Sequence, residues 1–244
     1  MYLELIGLYV YSYLAGSIPT PYIIAKVVKG IDLRQYGSGN VGGSNVIQQL
    51  GKGWVAPLAL VEFLLKGLSP VVLGFILRAS PLFLIAPLLA LAGNNWSVFL
   101  RFQGGRGLMV VCGMLIALVP LLFVIGIAVY LIGWRISRSS AVWALTAVGL
   151  LPIIAFVTGG YLVVDWLGLL AGLSGETLTP VPLGEVVGIS WFCLVILVIV
   201  ILKRTLSNSM AFPMEMSKRK VLFNRVFRDR DFDDRTAWLS RGPE

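Results

Sequence analysis

Continuous apolar runs, rather than alternating ones, organise this chain. They extend from Leu3 to Leu14, Val55 to Leu77, Pro81 to Leu100, Leu108 to Trp134, Ala141 to Tyr161 and Gly184 to Leu202. Several reach the length a helix needs to cross a hydrocarbon core of ~30 Å. A barrel would need strands of strict period two, so the pattern predicts an all-α integral membrane protein. The first run carries Glu4, lacks a basic start and is followed by no small-residue cleavage signal, so it reads as a retained span.

The polar stretches between the runs carry the orientation. Lys26, Lys29, Arg34 and Lys52 follow the first run, Arg101 and Arg106 the third, and Arg135 and Arg138 come later. Ten of the twenty Lys and Arg residues lie from Lys203 onward. The positive-inside rule places all four groups in the cytoplasm and the N-terminus outside. One crossing by the run 108–134 would put Arg135 and Arg138 on the wrong side, and Pro120 resolves this by dividing it into helices at about 108–119 and 120–134. The first, ~18 Å at helical rise, is short or partial. Helices over 140–160 and 184–202 complete seven transmembrane helices, with the C-terminus cytoplasmic and an external segment 161–182 carrying Asp165 and Glu176.

Composition agrees: 57% of the 244 residues are hydrophobic, 13% are charged, and the mean hydropathy is +0.87. The net charge of +8 follows from the topology and implies no nucleic acid. Residues 1–205 read as the membrane domain and 206–244 as a basic cytoplasmic tail that rests on anionic membrane lipid. Histidine is absent and the two cysteines, Cys112 and Cys193, lie apart in apolar runs. General-base chemistry of the usual kind then has no obvious agent, and no spacing implies a metal or a cofactor.

Against this background the segment 37–45, GSGNVGGSN, stands out. On the expected topology it meets FQGGRG at 102–107, ISRSSA at 136–141 and KRTLSNS at 203–209 on the cytoplasmic face. Glycine-rich backbone lets N–H groups converge on an anion, and a helix starting at Leu108 adds its N-terminal partial charge. Lys26, Arg34, Lys66 and Arg106 would supply full charges, so a phosphorylated substrate is expected. Lys66 lies inside an apolar run with Glu62 as its expected i,i+4 partner.

The stretch GSIPTPYIIAKVVKGIDLRQYGSGNVGGSNV, from Gly16 to Val46, resembles the first signature of the bacterial membrane acyl-phosphate:glycerol-3-phosphate acyltransferases. GKGW, EFLLKGLSPV, LAGNNWSVFLRFQGGRG and RISRSS follow in the family's order. The resemblance covers roughly residues 5–205. It implies a multi-pass protein of the bacterial plasma membrane with its active face cytoplasmic, transferring a fatty acyl group from acyl-phosphate to glycerol-3-phosphate in phospholipid biosynthesis, giving lysophosphatidic acid. It further implies Ser38 in the reaction centre, Gly37, Gly39, Asn40 and Asn45 as its cradle, and Lys26, Arg34 and Lys66 as basic contacts. Gly104, Gly105, Arg106 and Gly107 match GGKG, and Ser137 and Ser140 match the serine segment. The chain departs from the family at its last motif: Lys203 stands for a histidine and Leu206 for an asparagine, with Arg204 retained and Asn208 two residues on. Lys203 is then the candidate proton acceptor. A non-catalytic relative that binds phospholipid precursors, and a transporter of small anions, are the other classes these residues allow.

Overall fold

The computed structural model describes residues 2–77, 81–158, 183–207, 216–231 and 234. The expected external segment with Asp165 and Glu176, and Asn208, lie outside them. The regular structure among the described residues is all helical, with no strand. In order they form α1 (Tyr2–Ser17), α2 (Thr20–Lys29), α3 (Gly43–Leu50), α4 (Val55–Leu60), α5 (Ser69–Ile76), α6 (Ile85–Asn95), α7 (Leu108–Leu118), α8 (Pro120–Ser137), α9 (Ser140–Thr158), α10 (Leu183–Thr205) and α11 (Lys218–Phe223).

Among the described residues, five helical segments are long and apolar enough to cross a membrane: Lys52–Ile76, Leu82–Leu100, Pro120–Ser137, Ser140–Val157 and Val187–Thr205. The 11-residue α7 is shorter, as is the 16-residue α1. The expected division at Pro120 is present. Proline has no N–H to donate and occupies the first position of α8, while Val119 between the helices adopts φ −145°, ψ 71°. The basic segment after the first span is not a simple loop, since it contains α2, the capped turn Leu33–Gln35 and α3.

The segment Lys52–Ile76 is not one regular helix. Between α4 and α5, residues Val61–Leu68 widen into a π-helix. Pro70 cannot close the bond to the Lys66 carbonyl, and Gly67 presses against α7, so the regular ladder is interrupted where neighbours dictate it.

Water does not drive helices together inside lipid, so close backbone approach takes over. A Cβ on Gly113 of α7 would lie 2.3 Å from the Phe63 carbonyl oxygen, and one on Gly67 2.7 Å from Gly113 Cα. Gly16 of α1 meets the Ala90 backbone of α6 in the same way. Around these contacts an apolar core joins Val71, Leu91, Val110, Met114, Leu122, Leu151, Cys193 and Ile196. A smaller cluster of Ala25, Leu33, Val46 and Leu58 seats the segment 20–50. The outward faces carry exposed Leu3, Ile6, Val10, Ile132, Phe156, Trp191 and Val198, the surface expected of helices solvated by lipid tails.

The chain beyond α10 does not run free. The helical segment from Lys218 to Arg228 docks on the end of α10, burying Val221, Asn224 and Arg225. Arg225 donates to Asp231 (2.6 Å) and to the Thr205 carbonyl (3.3 Å), and Arg204 donates to the Val226 carbonyl (2.7 Å).

Candidate active site

A cavity of about 940 Å³ opens where these polar segments meet α4, α7, α8 and α9. One end is polar, with Ser38, Asn40, Arg106, Arg138, Ser140 and Arg204 on its wall. The other runs between Leu58, Val111, Leu115, Phe123, Ile127 and Leu151. Such a shape holds an anionic head and an apolar chain together.

Ser38 owes its position to the glycines on either side. Gly37 (φ +54°) and Gly39 (φ +66°) both adopt left-handed backbone, which other residues enter at a cost. The Ser38 hydroxyl oxygen accepts from the Asn40 N–H at 3.2 Å. Asn45, 2% exposed, braces the loop from beneath. Its amide nitrogen shares two N–H hydrogens among the carbonyls of Leu33 (3.0 Å), Tyr36 (3.0 Å) and Asn40 (3.1 Å).

The segment 102–107 contributes less backbone than expected. The Gly104 and Gly105 N–H groups donate to the carbonyls of Asn95 (3.2 Å) and Asn94 (2.8 Å), closing the end of α6. Gly104 lies outside the cavity, and Gly105 reaches its wall. Gly107 (φ +69°) caps α7, whose first-turn N–H groups have no partner within the helix. Arg106 enters the cavity with its side chain 12% exposed and is paired with Asp229. Burial, then the Arg204 guanidinium, push Arg106 down to about 9, leaving it cationic at neutral pH.

The structure places the other expected residues away from this wall. Arg34 is held by Asp32, Nε to Oδ1 at 2.9 Å and Nη2 to Oδ2 at 2.6 Å, and lies 5.5 Å from the centre of the Tyr22 ring. That hydrogen bond holds the Asp32 carboxyl below its usual range, with Lys26 a lesser influence. Lys26 itself is exposed and donates to the Gly30 carbonyl at 3.3 Å. Lys66 lies behind the cavity, donating to Glu62 (2.5 Å) as its i,i+4 spacing predicts, and to Asn94 (3.0 Å). Ser137 accepts from the Trp143 indole at 2.6 Å, on the outer side of α8.

Lys203 and Arg204 divide. Successive helical residues point about 100° apart. With Arg204 on the cavity wall, the buried Lys203 ammonium lies 5.8 Å from the centre of the Trp96 ring instead. Lys203 is therefore not on the cavity wall that carries Ser38. Sequence reasoning missed Arg138, Ser139 and Asp229 on the wall. Arg138 and Ser139 sit between two serines already singled out, so that neighbourhood was a usable signal. Asp229 gave none.

A polar wall joined to an apolar slot, inside a helical membrane protein, defines a protein that handles an amphiphilic anion. The family model described as glycerol-3-phosphate acyltransferase matches residues 6–207, and the chain belongs to that family. It is 42% identical to the glycerol-3-phosphate acyltransferase of Desulforudis audaxviator over 162 residues, 66% of this chain and 79% of the relative. It is 33% identical to glycerol-3-phosphate acyltransferase 5 of Dehalococcoides mccartyi over 236 residues, 94% and 90% of the two chains. The crystal structure of PlsY, an integral membrane glycerol 3-phosphate acyltransferase, in its glycerol 3-phosphate form matches with a TM-score of 0.65 at 27% identity, covering 82% of this chain and 88% of that one.

Proposed function

We propose that the protein transfers a fatty acyl group from an acyl-phosphate to the 1-hydroxyl of glycerol-3-phosphate, releasing inorganic phosphate and giving lysophosphatidic acid for phospholipid synthesis. The observation that carries this reading is the cavity, with Ser38 and Arg106 at one end and an apolar slot at the other. Both substrates bring a phosphate, and the donor brings an acyl chain that fits between α7, α8 and α9.

The hydroxyl oxygen of the acceptor attacks the acyl carbon, the bond from that carbon to the phosphate oxygen breaks, and the hydroxyl proton leaves with the departing phosphate. No histidine is required, because the donor is already activated. Ser38 donates a hydrogen bond to the acyl carbonyl oxygen as charge builds there. Arg106, Arg204 and the N-terminus of α7 neutralise phosphate.

The finer points of the reading are a cytoplasmic site in a bacterial plasma membrane, seven spans, an outside N-terminus and a cytoplasmic C-terminus. The clustering of basic residues at the polar end of the cavity supports them. The tail adds a lipid contact: Lys218, Arg219 and Lys220 are exposed beside Leu222, Phe223 and Phe227, a basic and aromatic face suited to anionic headgroups. Replacing the three basic residues with glutamine should weaken recovery of a detached tail peptide on anionic vesicles and leave neutral vesicles unaffected.

A binding-only relative is favoured by one observation, the absence of Lys203 from the cavity wall that carries Ser38. Purified protein in lipid, given acyl-phosphate and glycerol-3-phosphate, separates the two. Lysophosphatidic acid should form, and Ser38→Ala should slow it by roughly 10²–10³. Product no higher than background from both proteins would end the acyltransferase reading, equal product above background would remove Ser38 from the mechanism, and saturable substrate binding without product would establish the binding-only reading.

A further inference from the structure

The polar end of the cavity already holds an anion supplied by the chain itself. Asp229 pairs through its carboxylate with Arg106 Nη1, and the same oxygen lies 4.0 Å from Arg204 Nε. Arg204 has little freedom to move away, because its two terminal nitrogens are committed to the carbonyls of Val226 (2.7 Å) and Ala141 (3.0 Å). Asp229 thus occupies the place where two guanidinium groups converge. It comes from the segment after α10, beyond the residues 6–207 that match the family.

The turn that carries Asp229 is built to be displaced without unfolding the tail. Its backbone is left-handed (φ 57°, ψ 34°), a conformation aspartate tolerates and most residues do not. The rest of the tail is anchored elsewhere. Arg225 holds Asp231 and the Thr205 carbonyl, and Val221 and Asn224 are buried. These contacts do not use the Asp229 side chain.

From this geometry we infer that Asp229 is a built-in competitor for substrate phosphate at Arg106 and Arg204: the carboxylate fills the anion site at rest, and substrate binds by displacing the turn 228–230, between the anchors at Arg225 and Asp231. The inference rests on the reading of the cavity as a phosphate site. A carboxylate and a phosphate make the same charge-assisted contacts with arginine, so they cannot both hold Arg106 in full. Phosphate affinity is then reduced by the fraction of molecules in which the site is filled. The three anchors confine the movement to the turn.

Inorganic phosphate is the probe, applied to the full-length protein in lipid discs. Asp229→Asn should bind it about 10-fold more tightly than wild type by calorimetry, the range that close charge pairs support. In wild type, phosphate should raise amide hydrogen exchange at 228–230 and leave 218–227 and Asp231 unchanged. This second measurement needs no variant. Unchanged or weaker phosphate binding by Asp229→Asn, or exchange at 228–230 that phosphate does not alter, overturns the inference. Lysophosphatidic acid formation, assayed in parallel, keeps the two conclusions apart. Product without these phosphate effects removes the competitor and leaves the acyltransferase; the effects without product do the reverse.

Discussion

Lys66 reaches Glu62 at 2.5 Å and Asn94 at 3.0 Å from a position only 1% exposed, which locks the π-helical segment to the end of α6. The ammonium has no access to water, so its partners decide whether it is tolerated. Glu62→Leu leaves that charge uncompensated and should lower stability by about 3–5 kcal/mol, whereas Glu62→Leu with Lys66→Met should recover most of the loss. Thermal unfolding in lipid measures both, and a single variant as stable as wild type would count against the pairing.

The Asn45 amide shares its two N–H hydrogens among three carbonyls, and a carboxylate has no such donor. Asn45→Asp is therefore expected to be worse than Asn45→Ala. Each should cost about 1–3 kcal/mol through orphaned buried groups. Because the braced loop carries Ser38, the rate of acyl transfer should fall further than glycerol-3-phosphate binding does. Equal tolerance of Asp and Ala at this position would show that the donor pattern does not hold the loop.

The contact between Gly67 and Gly113 leaves no room for a methyl group against the Phe63 carbonyl. Gly113→Ala must separate α7 from the π-helical segment, at a cost of about 1–3 kcal/mol. The midpoint of thermal unfolding should drop accordingly, and an unchanged midpoint would mean that the two backbones are farther apart.

Asp32 gives the fold an acid-sensitive element. The Arg34 hydrogen bond lowers its folded-state pKa, so its contribution is complete above the unfolded value of about 3.9 and fades as pH falls through the lower folded value. Arg34→Met should flatten this part of the stability profile below about pH 4. The test is wrong for the pair if both proteins lose stability along the same acid limb.

Much of the architecture was legible because membrane helices follow from apolar length and proline breaks from a missing donor. The α7–α8 boundary at Pro120 and the Glu62–Lys66 pair are of this kind, and so is the framing of Ser38 by two glycines. The π-helix of Val61–Leu68 was not legible, since its widening depends on what Gly67 touches. Arg34 read as a substrate contact because Asp32, two residues earlier, was not weighed as its partner. The tail read as a basic segment resting on anionic lipid, and its return to the cavity through Asp229 and Arg106, 123 residues apart, had no signal in the local sequence. Lys203 was placed by motif, while its direction depended on the rotation of α10.

At 11 residues, α7 spans about 16 Å and cannot hold itself in a bilayer core of ~30 Å. It is held by the close contact at Gly113 and by α8, which begins after the single residue Val119. Biosynthesis therefore produces α7 before one of the elements that retain it, and the wall of the cavity is secured only once α8 has followed it into the membrane. A polar substitution on α7 would act first on the yield of inserted protein, ahead of any change in the turnover of the molecules that reach their final form.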